Sequence, residues 1–154
     1  HPALELLFLG NGTAEAGLKA RWGEHRQVRF WPFIPFADAR EVIRQADIGL
    51  VSLAPDIYRV SYPSKVLTYL GLGVPLLALV EPDSRLAGTI RDEGLGAVPA
   101  ARTPAAVADA TASLLAPGAI QAAKSAAQAY HDRETATEII LARWRGLVAE
   151  MGNG

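Results

Sequence analysis

The run Ser61-Tyr62-Pro63-Ser64-Lys65-Val66-Leu67-Thr68-Tyr69-Leu70-Gly71-Leu72-Gly73-Val74-Pro75, followed by Leu76-Leu77-Ala78-Leu79-Val80, decides the fold. It reads as a loop that becomes a helix at Pro63–Lys65, breaks at Gly71 and Gly73, and enters a buried strand. A loop opening a helix leaves the first backbone N–H groups without intrahelical acceptors, all aimed back at the loop. Lys65 adds a full positive charge there, which opposes the helix dipole and is mildly unfavourable for the helix alone. A bound phosphate reverses that sign, so the pattern points to an anion site.

Strand–helix alternation extends outward from this run in both directions. Leu4–Leu9 is an apolar run closed by Gly10-Asn11-Gly12, the pattern of a strand buried on both faces. Thr13 is placed to cap a helix reaching about Gly23. Gln27–Phe30 reads as a second strand ended by Trp31-Pro32-Phe33-Ile34-Pro35, and Asp38 as the start of a helix with Val42, Ile43 and Ala46 on one face. Ile48–Leu53 is a third strand and Leu76–Val80 a fourth. A helix over Ser84–Glu93 ends at Gly94-Leu95-Gly96, before a fifth strand at Ala97-Val98. Thr103-Pro104 then opens a helix with a cap and a proline in the preferred order. The remainder is helical over Pro104–Leu115, Ala119–Tyr130 and Glu134 to about Met151, the last with Leu141, Trp144, Leu147 and Val148 at helical spacing. Short connections and apolar strands predict an α/β fold, a Rossmann-like parallel sheet with helices on both faces. Ligands of such sheets bind outside the carboxyl ends of the strands. The loops Gly10–Thr13, Phe33–Pro35 and Leu53–Lys65 are therefore expected to form one crevice.

Bulk properties narrow the function classes. The 154 residues suit one domain, and a formal net charge of -1 gives no electrostatic footprint for nucleic acid. Without cysteine there is no disulfide framework and no thiolate metal site. No apolar run approaches the roughly 18 residues of a membrane span. The start at His1-Pro2-Ala3 has no basic leader region, and the chain is expected to be a piece of a longer protein cut at its amino-terminal edge. The dinucleotide fingerprint fails because Glu15 stands at the third glycine position and no acid ends the second strand, which argues against NAD.

Several ordered elements resemble the carboxyl-terminal domain of group 1 glycosyltransferases of the GT-B fold. They are Phe8-Leu9-Gly10-Asn11-Gly12, Val28-Arg29-Phe30-Trp31-Pro32-Phe33, Ala46-Asp47-Ile48-Gly49-Leu50-Val51, Pro63-Ser64-Lys65 and Gly73-Val74-Pro75-Leu76-Leu77-Ala78. The Pro-Ser-Lys variant is similar to members that build bacterial surface polysaccharides. The resemblance implies that residues 1–154 are a nucleotide-sugar-binding domain, one half of a GT-B fold, with the acceptor-binding domain elsewhere. It implies UDP- or GDP-type sugar donors, glycan or lipid-linked acceptors, no metal and no cofactor, and a cytoplasmic setting that includes the inner face of the membrane.

Carried over by position, Gly10, Asn11 and Gly12 let backbone approach the sugar and diphosphate, and Phe33, Ile34 and Pro35 lie against the base. Tyr62, Ser64 and Lys65 surround the diphosphate. Apart from the resemblance, Arg59 stands in the long loop before the motif, placed either to meet a diphosphate or a sugar carboxylate or to sit in water. The absence of an Asp-x-Asp motif agrees with metal independence. Two departures stand out. The family's paired glutamates fall at Val60 and Thr68, where Thr68 offers a weaker ribose contact than a carboxylate would. The family's basic pair for the diphosphate maps upstream of His1, so this chain alone is expected to bind nucleotide weakly and to transfer nothing. No catalytic residue is assigned. His25 and His131 read as surface histidines. The competing readings are a nucleotide-sugar 2-epimerase-like half, which needs acid–base carboxylates and a histidine not seen in these loops, and a non-catalytic domain that binds a nucleotide or a protein partner.

Overall fold

The computed structural model describes residues 4–54 and 62–152. The chain divides into two compact units, His1–Val42 and Ile43–Gly154. The fold is mixed α/β, with every strand pair parallel and helices between successive strands.

In the first unit β1 (Leu6–Leu9) pairs in parallel with β2 (Val28–Trp31), and α1 (Glu15–Trp22) connects them. The ladder places Phe8 opposite Phe30, and their rings stack with centroids 5.0 Å apart. The expectation of a strand buried on both faces fails for β1, since Leu6 and Leu7 are exposed. Among the described residues its apolar run has one paired neighbour, β2, so the run is not enclosed as a central strand would be. Thr13 does not cap α1: Ala14 occupies the cap position, without a side-chain bond. The next helix, α2 (Phe36–Arg44), begins before Asp38, which falls in its first turn, and it spans the division between the units.

The second unit is built on a three-stranded parallel sheet of order β3 (Gly49–Ser52), β4 (Leu76–Leu79), β5 (Gly96–Ala97). The five strands thus fall into two sheets. The central strand β4 is the most enclosed: Leu76 and Ala78 are fully buried, as is Pro75 before it. Helix α3 (Ser64–Gly71) lays Val66 and Leu70 onto this core, and α4 (Arg85–Asp92) contributes Leu86, Ala87 and Ile90. Ser84, the one buried polar residue among those described, accepts the Ala87 amide at 3.2 Å and so caps α4. Thr103 caps α5 (Pro104–Leu114) in the same way through the Ala106 amide. Two glycines are dictated by close approach. A Cβ at Gly49 would sit 2.6 Å from the Tyr69 ring, and one at Gly96 would collide with the Leu76 backbone.

Helix α6 (Ala119–Tyr130) is followed by a single π-helical turn, His131–Thr135, and then α7 (Thr137–Gly152). The last helix, expected from Glu134, instead begins at Thr137, and Glu134 and Thr135 belong to the π-helical turn. His131 is half-buried rather than a surface residue. Its ring lies 3.2 Å from where a Gly71 side chain would begin, and its Nδ1 bonds the Thr135 hydroxyl at 2.9 Å. Trp144, Leu147 and Val148 on α7 are exposed.

Packing at α3 sets a clear contrast in stability. Leu70→Ala is expected to lower the unfolding free energy by about 2–5 kcal/mol. Met151→Ala, on an exposed side chain of α7, is expected to stay within about 0.5 kcal/mol of wild type. Chemical denaturation of both variants measures the difference.

Candidate functional site

In the first unit the loops after β1 and β2 leave the same ends of two paired parallel strands. The Gly10 amide donates to the Trp31 carbonyl at 3.1 Å, extending the ladder by one step. Gly10 then takes φ +115°, a conformation that favours glycine. This turn lets the Asn11 Oδ1 accept the Phe33 amide at 3.1 Å, tying the two loops together across 22 residues of sequence. The Gly12 carbonyl accepts the Glu15 amide at 3.0 Å and starts α1. Apart from the adjoining residues, no described heavy atom lies within 4 Å of a Cβ built on Gly10 or on Gly12, so open space adjoins this loop backbone. Phe33 is 72% exposed, Ile34 half-buried and Pro35 exposed. Gly10–Gly12 and Phe33–Pro35 are thus brought together, with an aromatic face left uncovered.

In the second unit the residues expected to hold an anion lie at the start of α3. Pro63, with φ -71° and ψ 118°, is the cap residue rather than the first helical position, and it has no side-chain acceptor to offer. Its carbonyl accepts the Val66 amide at 3.0 Å. The amides of Ser64 and Lys65, the first two helical residues, have no intrahelical acceptor by the geometry of a helix start. Ser64 and Lys65 are exposed, and Lys65 makes no ion pair with the described residues. Among the described residues, then, amides without a side-chain cap and an ammonium without an ion pair share one helix end.

Tyr62 precedes this point and is half-exposed. Partial burial raises its phenol pKa, the nearby Tyr130 phenol raises it further, and Arg85 pulls it down. The start of α3, the start of α4 and the end of α6 therefore lie close enough for their charges to act on one another. Burial likewise raises the Tyr130 phenol, with Glu134 and Glu93 adding to the effect and Arg133 and Arg85 opposing it. Both hydroxyls stay protonated at neutral pH and can donate hydrogen bonds. Thr68, half-buried one turn into α3, points its hydroxyl hydrogen back to the Ser64 carbonyl at 3.4 Å. Its oxygen is left as an acceptor only. Arg59 and Val60, like Asp56 and Tyr58, lie outside the described residues.

Sequence reasoning missed Arg85 and Arg102. Arg102 reaches across the carboxyl end of the sheet, and its Nη2 donates to the carbonyls of Leu53 and Leu79, the latter at 2.9 Å. Beside it lies an open hollow of about 600 Å³ bordered by Ser52, Leu79, Thr103 and Val107. The signal was present in the sequence, because Arg102 precedes the Thr103-Pro104 helix start as Lys65 occupies the start of α3. Each places a cation where a helix dipole disfavours it. Among the described residues no three His, Asp or Glu side chains are grouped to hold a metal, and no helix is long and apolar enough to cross a membrane.

A parallel α/β fold with an uncapped, lysine-bearing helix start suits transfer chemistry on phosphorylated donors, and the comparison with known families decides the class. The family model described as glycosyl transferases group 1 matches residues 1–117. The chain belongs to the group 1 glycosyltransferases. None of the curated proteins matches it. The matched span includes both glycine-bearing loops and all of α3, whereas α7 lies beyond it. In this glycosyltransferase the predicted site residues thus form two local sets, Gly10–Gly12 with Phe33–Pro35 in one unit and Tyr62–Thr68 in the other.

The Asn11 bond is directly testable. Asn11→Ala removes the acceptor of the Phe33 amide and is expected to cost about 1 kcal/mol. Amide exchange at Phe33 should then quicken about fivefold, while Asn11→Asp, which keeps the acceptor, should leave it near wild type.

Proposed function

We propose that this chain is the donor-binding half of a retaining glycosyltransferase that moves a sugar from a UDP- or GDP-type donor to a glycan or lipid-linked acceptor in polysaccharide or glycoconjugate synthesis. A separate domain of the same protein binds the acceptor, and turnover requires both. One observation carries this reading beyond family membership: at the start of α3, Ser64 and Lys65 present uncapped amides and an exposed ammonium together. A diphosphate bound there accepts the amide hydrogen bonds and neutralises Lys65, and the helix dipole favours its charge.

In the transfer step the bond between the anomeric carbon and the diphosphate oxygen breaks, and negative charge grows on the leaving diphosphate. The amides and Lys65 stabilise that charge more strongly in the transition state than in the bound donor, which is how such a site accelerates transfer. The diphosphate in turn helps take the acceptor hydroxyl's proton, and no metal is required in this scheme. Within the first unit, Phe33 presents an exposed ring and Gly10–Gly12 an open backbone, the two features the family resemblance associates with the base and the sugar.

A second reading, a nucleotide-binding domain without transfer, draws on one feature: Thr68 stands where the family commonly has a glutamate for the ribose. Turnover by the full protein separates the two.

Lys65 provides the test of the phosphate role. NMR titration of this chain with UDP and GDP is expected to show millimolar affinity for one of them. Lys65→Ala should weaken that affinity about tenfold, equivalent to about 1.4 kcal/mol. Lys65→Arg, which keeps the charge, should recover most of it. Equal affinity for wild type and Lys65→Ala would remove Lys65 from the site.

A further inference from the structure

The carboxyl ends of β3 and β4 are where a parallel sheet presents its ligand loops. The ladder thins at that point. Beyond Ser52 the Leu53 amide reaches the Leu79 carbonyl only at 3.3 Å, a long bond. The same carbonyl accepts Arg102 Nη2 at 2.9 Å, and the Leu53 carbonyl accepts the other hydrogen of that nitrogen. A single guanidinium nitrogen, carried on the connection between β5 and α5, thus bridges the exits of two neighbouring strands.

Among the described residues, charge pairing does not explain this placement. Arg102 makes no ion pair with the described residues, and it stands one residue before the Thr103 cap of α5, where a cation is disfavoured. The two carbonyl bonds are what hold it. The planar guanidinium fixes the directions of its donors, so the bridge sets the separation of the Leu53 and Leu79 carbonyls. Lysine, with a rotating ammonium on a flexible stem, does not set that geometry.

We propose that Arg102 is a positioning residue for the donor. By clamping the ends of β3 and β4 it fixes the carboxyl edge of the sheet, where a parallel sheet presents its ligand loops, and so sets the ground on which the donor binds. This rests on the donor-binding reading above.

The experiment compares wild type, Arg102→Gln and Arg102→Lys in this chain. Amide exchange is followed at Leu53 without ligand, and NMR titration is run with UDP and with GDP. Thermal melting and the amide signals of Leu76 and Ile90 report whether the core stays intact. Both variants are expected to keep the core signals, to exchange Leu53 about tenfold faster and to bind the preferred nucleotide about fivefold more weakly. A variant that lowers the melting temperature while leaving nucleotide affinity unchanged assigns Arg102 a purely structural role and overturns the proposal. Full affinity in Arg102→Lys also overturns it, because charge and not the bridge would then be what matters. If wild type binds neither nucleotide, the donor-binding reading fails and this proposal falls with it. If wild type binds and both variants match it, the proposal alone fails.

Discussion

Burial of β4 on both faces is the constraint from which the second unit follows. Leu76 and Ala78 have no exposed surface, and a strand so enclosed must satisfy its backbone through neighbours on both edges, here β3 and β5. Parallel pairing then requires a crossover between successive strands. The crossover from β3 to β4 contains α3, whose Val66 and Leu70 seal one face of the sheet. Once Leu70 is fixed in the core, the opposite end of this eight-residue helix is fixed as well. The amides of Ser64 and Lys65 open toward the loop that leads into it. The open amide end of α3 is thus a by-product of how a buried parallel strand is connected.

The exposed features of α3 fit function better than they fit stability. Proline at the cap position gives up the side-chain acceptor that Ser84 and Thr103 supply for α4 and α5. A cap of that kind contributes about 1 kcal/mol. Lys65 adds an unfavourable dipole term at the same end. Two of the three helices that start near the carboxyl side of this sheet are capped by their own side chains, and the one bearing the lysine is not. A ligand that accepts from the open amides and neutralises the ammonium resolves both costs together, and membership of the group 1 glycosyltransferases supplies a ligand class of that description.

Much of this was legible in the sequence because it rests on local rules. The bounds of α6 at Ala119–Tyr130, the Thr103-Pro104 start of α5 and the run from Pro63 to Leu79 all follow from caps, prolines, glycines and apolar spacing. Errors arose where neighbours decide. Apolar content alone does not say whether Leu6 and Leu7 have a covering strand, and they are exposed beside a single paired partner. The π-helical turn at His131–Thr135 places the His131 ring against Gly71, a contact between residues 60 apart in sequence. Arg102 escaped notice for the same reason, since its acceptors lie 49 and 23 residues away. Side chains that bridge backbone carbonyls across strands leave no periodic trace.

The central claim is that a diphosphate sits on the amides at the start of α3, and amide chemical shifts report it most directly. UDP and GDP, each beside its nucleoside without phosphate, would be titrated into the wild-type chain up to about 10 mM, well above a millimolar dissociation constant. The account predicts that Ser64 and Lys65 amides shift with one of the diphosphates and stay unmoved by the matching nucleoside. Shifts of equal size with the nucleoside, or a nucleotide response that bypasses Ser64 and Lys65, would contradict it.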